Sequence, residues 1–454
     1  MKGLREQVVE FKETQKGEIT VFLCLVFLVM ISLIGALVES VSIHLARSDR
    51  RMRLEMSLQS VFAEYDKTLL EQYEIFALDG TYKTERYEEQ LLLDRIAYYG
   101  GEETQNQVHS VEFLSDNNGM PFYRGAVQYV RNQYGLKENA EESEGQWKDA
   151  MEKSKTYLEE MELAQKQMEE KLQETEESLP QEDNPLVAME EVKKQGLVKT
   201  VLPKDKDVSG VSIQVEKLAS QRTLREGNYP QSDETGTLED VMFRVYLLEQ
   251  FPSYAKGEAI QGFSYGVEYL LYGNQKDQKN LEKVLQKILV VRLVPNYAYL
   301  KTDSVKKAEV KALATSLCSL LRAEGIAPLV EQILLFAWAY GESVAELQVL
   351  MDGGTLATKK TKENWLLSLA ELPLVGTTRH TKEEGVEKGL DYEGYLGALL
   401  LLTPTKPLTM RALDLVECGT GLRADACITR VQIQGRGVLR RRITYEFQTQ
   451  YAYR

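Results

Sequence analysis

The feature that most constrains this chain is an uninterrupted apolar run, Ile19–Val38, reading ITVFLCLVFLVMISLIGALV. Nothing in it is charged, and the hydroxyls of Thr20 and Ser32 can bond back to their own helix. A helix rises about 1.5 Å per residue, so the run covers roughly 30 Å, the thickness of a bilayer's hydrocarbon core. Helices in soluble cores rarely stay apolar on every face for that long. The run predicts a transmembrane helix. A cleavable signal is the competing reading, with Lys2, Arg5, Lys12 and Lys16 as a basic lead and Ser40–Val41–Ser42 as a small-x-small cleavage site. Against it, the run exceeds the roughly 7–15 residues usual for a signal core, and no helix breaker follows. Flanking charge does not orient the span, because Arg47, Arg50, Arg51 and Arg53 balance the basic lead.

The chain as a whole carries 69 acidic and 55 basic residues, a formal charge of −14. That argues against nucleic acid as a partner, which needs a basic face to displace counterions. It also argues against a broad grip on anionic lipid; the Arg47–Arg53 cluster is the local exception and reads as a topological or headgroup contact. Four cysteines make no disulfide framework in a chain of this length. Cys24 and Cys318 read as small core residues, whereas Cys418 and Cys427 are candidates for a bridge if the body lies in an oxidising compartment. With His44, His109 and His380 the only histidines, and no Cys-x-x-Cys pair, a zinc site has almost no material. No metal or cofactor is expected.

Beyond the run, Leu54, Leu58, Val61, Phe62, Tyr65, Leu69, Tyr73 and Phe76 recur at three- and four-residue intervals, one apolar stripe of a helix. No Pro or Gly interrupts Glu39–Leu78, so span and stripe predict one long rod ended by Gly80. A helix over Tyr87–Tyr99, a strand over Gln107–Leu114 and a turn at Asp116–Gly119 follow. Glu138–Asp183 is acidic, with Met151, Leu158, Met161, Met168, Leu172 and Leu179 at heptad-like positions. A coiled-coil arm and a solvated helix are both open readings there. Pro180, Pro185 and Pro203 bound a polar connector reaching Gly210. Helical spacing dominates Leu238–Phe251, Gly262–Leu271, Asp277–Val291, Val305–Ala323, Pro328–Met351 and Tyr392–Leu402. Ile333–Ala339, apolar nearly all round, predicts a buried central helix. At the end the period changes, and Ile428–Gln434 and Leu439–Tyr451 predict a β-hairpin turning at Gly435–Arg436–Gly437. The fold class is α+β, helix-rich: a transmembrane helix continuing into a long soluble helix, a helical body and a C-terminal β-hairpin.

Catalytic motifs do not emerge. Gly419–Thr420–Gly421 lacks the third glycine and the preceding strand of a dinucleotide fingerprint. Ser304–Lys307 has the Ser-x-x-Lys form, but Asp303 and Ser304 serve better as a helix cap. Glu342 and Glu346 share a helical face and read as solvated acids, and Asp352–Gly353–Gly354 reads as a turn. Glu39, at the margin of the span, reads first as an interfacial residue and second as a register device between packed helices.

Several stretches together carry a resemblance. They are Lys16–Phe22, Phe62–Asp66, Tyr73–Asp79, Glu268–Gly273, Asn280–Leu281, Arg292 with Asn296, Phe336–Ala339 with Glu342–Ser343, Asp391–Tyr392, and Arg411 with Asp414–Glu417. With these the chain resembles a family of bacterial membrane proteins known as a domain of unknown function. Its N-terminal third is similar to the TadE and TadG minor-pilin-like proteins of tight-adherence (Flp-type) pilus machines. Gly17 before the apolar run resembles a prepilin cleavage site, but Phe22 stands where pilins carry a glutamate. The resemblance implies an N-terminus inside the cell and a body outside, and no activity. Taken with the composition and patterning above, the chain is expected to divide into a cytoplasmic tail (1–18), a transmembrane helix (19–38), a pilin-like helix with a small α+β region (39–136), an acidic arm and linker (137–210) and a helix-rich domain (211–454). The expected function is that of a non-enzymatic, single-pass component of a pilus or secretion assembly. Its partners are the lipid bilayer and other subunits, and Gly17, Glu39, Arg50 and Arg51 are its membrane and assembly residues. A membrane-tethered envelope enzyme or a ligand-binding sensor is the alternative.

Overall fold

A computed structural model describes residues 2–84, 86–134, 163, 166, 196–204, 206–214, 217–230, 236–257, 263–320, 324–375, 377–382, 389–439 and 442–453. The coiled-coil reading of the acidic arm thus lies outside the described residues, apart from Leu163 and Lys166.

Helix α1 (Lys2–Phe62) is unbroken and contains the whole apolar run. From Ile19 to Val38 its large side chains are exposed on every side, whereas Leu54, Leu58, Val61 and Phe62 further along the same helix are buried. The expected rod to Leu78 stops at Phe62. The cause is a cap concealed in the apolar stripe: Asp66 accepts the Leu69 amide at 2.8 Å and starts a separate helix α2 (Lys67–Tyr73). Around the break, Glu64 is held by Arg95 and by the Tyr99 hydroxyl, and the Tyr453 hydroxyl donates to the Phe62 carbonyl.

Four antiparallel strands form one sheet: β1 (Leu78–Asp79), β2 (Gln105–Phe113), β3 (Cys427–Val438) and β4 (Thr444–Ala452). Strand β3 pairs with all the others, with β2 along one side and β1 and β4 along the other. Segments near both ends of the chain therefore share a sheet. The C-terminal hairpin is present, but its turn is displaced from Gly435–Arg436–Gly437. Those residues lie inside β3, opposite Phe447, Glu446 and Tyr445, and the hairpin closes where the Leu439 amide donates to the Ile443 carbonyl at 2.9 Å. The glycines answer a packing demand instead. A Cβ on Gly437 would lie 2.3 Å from the Tyr445 ring, and one on Gly435 would lie 2.9 Å from Phe447. The apolar stripe of α1 packs on this sheet beside helix α3 (Glu89–Tyr98), burying Val111, Phe113, Ile428, Val431 and Ile433.

The body is helical. Helix α4 (Asp116–Tyr134) opens with Asn117, Asn118 and Gly119 in the left-handed region, the expected turn. Then come α5 (Leu197–Val201), α6 (Thr237–Gln250), α7 (Gly266–Tyr272), α8 (Asp277–Thr302), α9 (Ser304–Leu320), α10 (Ala327–Met351), α11 (Tyr392–Leu402) and α12 (Thr405–Thr420). Helix α8 runs well past the expected Val291, through Pro295. Helix α12 lies outside the segments that helical spacing marks. Pro404 is its N-cap and Pro407 stands in its first turn, where no intrahelical amide is lost. Helix α10 is apolar and long enough to cross a membrane, yet it is buried between α8 and α9 as the central helix expected from Ile333–Ala339.

Candidate functional site

Among the described residues, polar chemistry gathers at the α1–hairpin junction and in a charge cluster inside the helical body.

At the junction, the sheet runs beside α1 toward the apolar run. Phe62 packs against Tyr451 and Tyr453 with tilted rings (centroids 4.6 and 5.1 Å), Arg50 Nη1 donates to the Val438 carbonyl at 2.9 Å, and Arg47 lies over the Tyr445 ring at 5.4 Å. The basic cluster of the helix is largely engaged within the protein. Arg51 pairs with Glu55 at 2.9 Å, Arg53 with Asp49 at 3.0 Å, and Arg50 and Arg53 both reach Glu103. Glu39 is exposed one residue beyond the run, and Gly17 falls inside α1. The length and apolarity of Ile19–Val38, with no part of it buried in the protein, fit a membrane anchor.

The second region overturns the reading of Glu342 and Glu346 as solvated acids. Both are buried on α10, where they meet Arg292 of α8 and Lys360. Arg292 is bidentate to Glu346 (Nε–Oε2 2.8 Å, Nη2–Oε1 2.6 Å) and also donates to the Ala357 carbonyl. Lys360 bridges Glu342 at 2.5 Å and Glu346 at 2.7 Å, and donates to the Asn364 carbonyl. Glu342 also accepts the Leu366 and Leu367 amides, and Asn296 donates to Glu346 and Ser343. Two positive and two negative groups cancel, and none of the four side chains is more than 4 % exposed. Burial alone would raise Glu346, but the Arg292 guanidinium and the Lys360 ammonium outweigh it and hold the carboxyl well below its usual range. Burial and the neighbouring Glu346 push Glu342 up against the pull of Lys360. The quartet clamps α8 and α10 to the 357–367 segment. Spacing shows that the two acids share a face, but not that a lysine from a loop beyond α10 covers that face.

Other residues of the resemblance are clamps of the same kind. Glu268 accepts the Tyr254 amide and the Tyr392 hydroxyl, and burial raises it to about 7. Asp414 accepts the Ser220 amide and the Tyr269 hydroxyl, and burial raises it to about 6. Arg411 donates to the Leu270 and Leu271 carbonyls beneath Gly273, the left-handed cap of α7, where a Cβ would lie 2.7 Å from the guanidinium. Glu417 takes both terminal nitrogens of Arg222.

The remaining sequence candidates are settled locally. Asp303 caps α9 through the Val305 and Lys306 amides, and Asp352–Gly353–Gly354 is a turn after α10. Cys418 and Cys427 are free thiols, so the candidate bridge is not formed. Cys427 is fixed in β3 opposite Asp79 and buried, and Cys418 packs from α12 onto the main core. Burial pushes both thiols up, which suppresses the thiolate needed for exchange. Among the described residues no group of His, Cys, Asp and Glu is arranged to hold a metal ion.

Residues 175–437, more than half of the chain, match a family of unknown function, DUF5702. The chain belongs to that family. The matched span holds the whole quartet, Glu268, Asp414 and strand β3 almost to its end, and it begins long after the apolar run. No curated protein and no solved structure matches the chain.

Proposed function

We propose that this protein is a non-enzymatic, membrane-anchored structural and interaction protein: a minor-pilin-like component of a Tad/Flp-type pilus or secretion assembly. The observation that carries the reading is the continuity of α1. One helix exposes Ile19–Val38 on every side and, four turns further on, buries Leu54, Leu58, Val61 and Phe62 in the core of the body. An anchor of that design holds its body at a fixed attitude to the bilayer and offers an apolar flank to neighbouring helices. The similarity of the N-terminal stretches to TadE and TadG points to the assembly, and to a tail inside the cell with the body outside. In this reading Glu39 sits at the membrane margin, where it sets register against a neighbouring subunit.

The test is purification of the tagged full chain from detergent-solubilised membranes of its own host. Recovery of pilus ATPase, platform or pilin subunits in stoichiometric amounts is the expected result. A lone monomer under gentle extraction overturns the assembly reading. An N-terminus cut after the apolar run, seen in the mass of the mature protein, overturns the anchor itself.

A further inference from the structure

The hairpin tip was masked in the sequence by the glycines of β3, and its position in the fold gives it a use. Resting on the reading of Ile19–Val38 as a bilayer span, we propose that Arg442, at the Leu439–Ile443 end of the hairpin, forms with Arg47 a contact site for anionic lipid headgroups.

The direction of the hairpin follows from its contacts with α1. Passing from Phe62 back toward the span, the helix meets Tyr453 and Tyr451, then Gly435 beside Leu54, then Val438 at Arg50 and Tyr445 at Arg47. The strands therefore point their turn at the bilayer. From Val38 to the level of Arg50 the helix climbs roughly 18 Å at 1.5 Å per residue. The hairpin reaches back from that level, because Leu439 and Ile443 pair one step beyond Val438 and Thr444, and Arg442 lies beyond them. Two strand steps are about 7 Å, which leaves Arg442 about 11 Å above the end of the apolar run. The polar layer of a bilayer fills about 5–7 Å of that distance, and the remainder is within one Debye length at physiological salt. An arginine side chain can snorkel across it.

The chemistry of the turn suits that place. Arg442 is exposed, and Val438, Leu439 and Ile443 leave apolar surface beside it. Arg50, Arg51 and Arg53 spend their charge on Glu103, Glu55 and Asp49, whereas Arg47 faces an aromatic ring of the hairpin. Each basic group near an anionic surface strengthens attachment by roughly fivefold.

The experiment is hydrogen exchange on the full chain in nanodiscs of phosphatidylcholine, with and without phosphatidylglycerol. Amides of residues 438–445 are expected to exchange about fivefold or more slowly in the anionic discs at low salt, and 0.5 M salt should remove most of the difference. Arg442→Gly should remove it too. That residue has φ 58°, so glycine relaxes the turn, and unchanged protection of the Gln432–Gln450 pairing reports an intact sheet. Equal exchange in both discs overturns the proposal. So does protection that survives both salt and Arg442→Gly. Flotation of the same samples with liposomes tests the span separately, since loss of the tip contact leaves the protein floating and failure of the anchor does not.

Discussion

At the scale of single residues, the helical body is organised by buried charge, and this sets how its stability responds to pH and to substitution. Glu268 has a folded value of about 7, raised by burial above that of the unfolded chain. A raised value means that its contribution is fully present below the unfolded pKa and is lost as pH rises through 7. Over that window the loss is roughly 3 kcal/mol. Asp116 and Asp414, both near 6, act in the same direction. Glu268→Gln should therefore flatten the fall in stability between pH 5 and 8, read as melting midpoints of the detergent-solubilised protein. An unchanged slope refutes this. Within the quartet Glu346 behaves oppositely, because Arg292 and Lys360 hold its carboxyl ionised against the effect of burial. Glu346→Gln leaves Arg292 without its carboxylate partner while Lys360 keeps Glu342, and should cost about 3–5 kcal/mol, a cost partly recovered by adding Arg292→Met. Chemical denaturation of the single and double variants checks this, and additive losses would sink the idea of a coupled, neutral cluster.

At the scale of elements, packing and capping decide where helices and strands end. Asp66 ends the long rod from within an apolar stripe, and Asp66→Ala should destabilise α2 by about 1 kcal/mol, seen as faster amide exchange over Lys67–Tyr73. Gly437 gives up its side-chain space to Tyr445, whose ring in turn carries Arg47. Gly437→Val should displace that ring and loosen the hairpin from α1; a tip as protected as before would contradict the packing argument. These cases also show what sequence reading can reach. The apolar run and the central helix follow from unbroken apolarity, and the buried stripe of α1 and the existence of the hairpin from periodicity, because periodicity is what a half-buried face requires. Where α1 stops, where the hairpin turns and that α12 exists do not follow, since each depends on a neighbour distant in sequence or on prolines that suit a helix start as well as a loop. The quartet was half legible. Two acids on one face were visible, but their partners come from Arg292 and from the loop carrying Lys360.

At the scale of the whole molecule, the apolar run stands apart from the folded body. A chain beginning at Glu39 keeps every α1 residue that is buried among the described ones, the first being Leu54. It should move from the detergent phase to the aqueous phase on cloud-point separation while keeping its helical circular dichroism. If both chains partition alike, the run is not what holds the protein to a membrane. The strands tie the body together, since β1 and β2 from the first third pair with β3 from the last tenth. The hairpin that carries β3 lies along the helix that leaves the body, and Tyr453 near the C-terminus grips the carbonyl of Phe62. A tug on the anchor along its axis therefore loads this junction in shear. The contacts from Arg47 to Phe62 share the load together instead of parting one after another, and the attachment is mechanically stiff along the axis of α1.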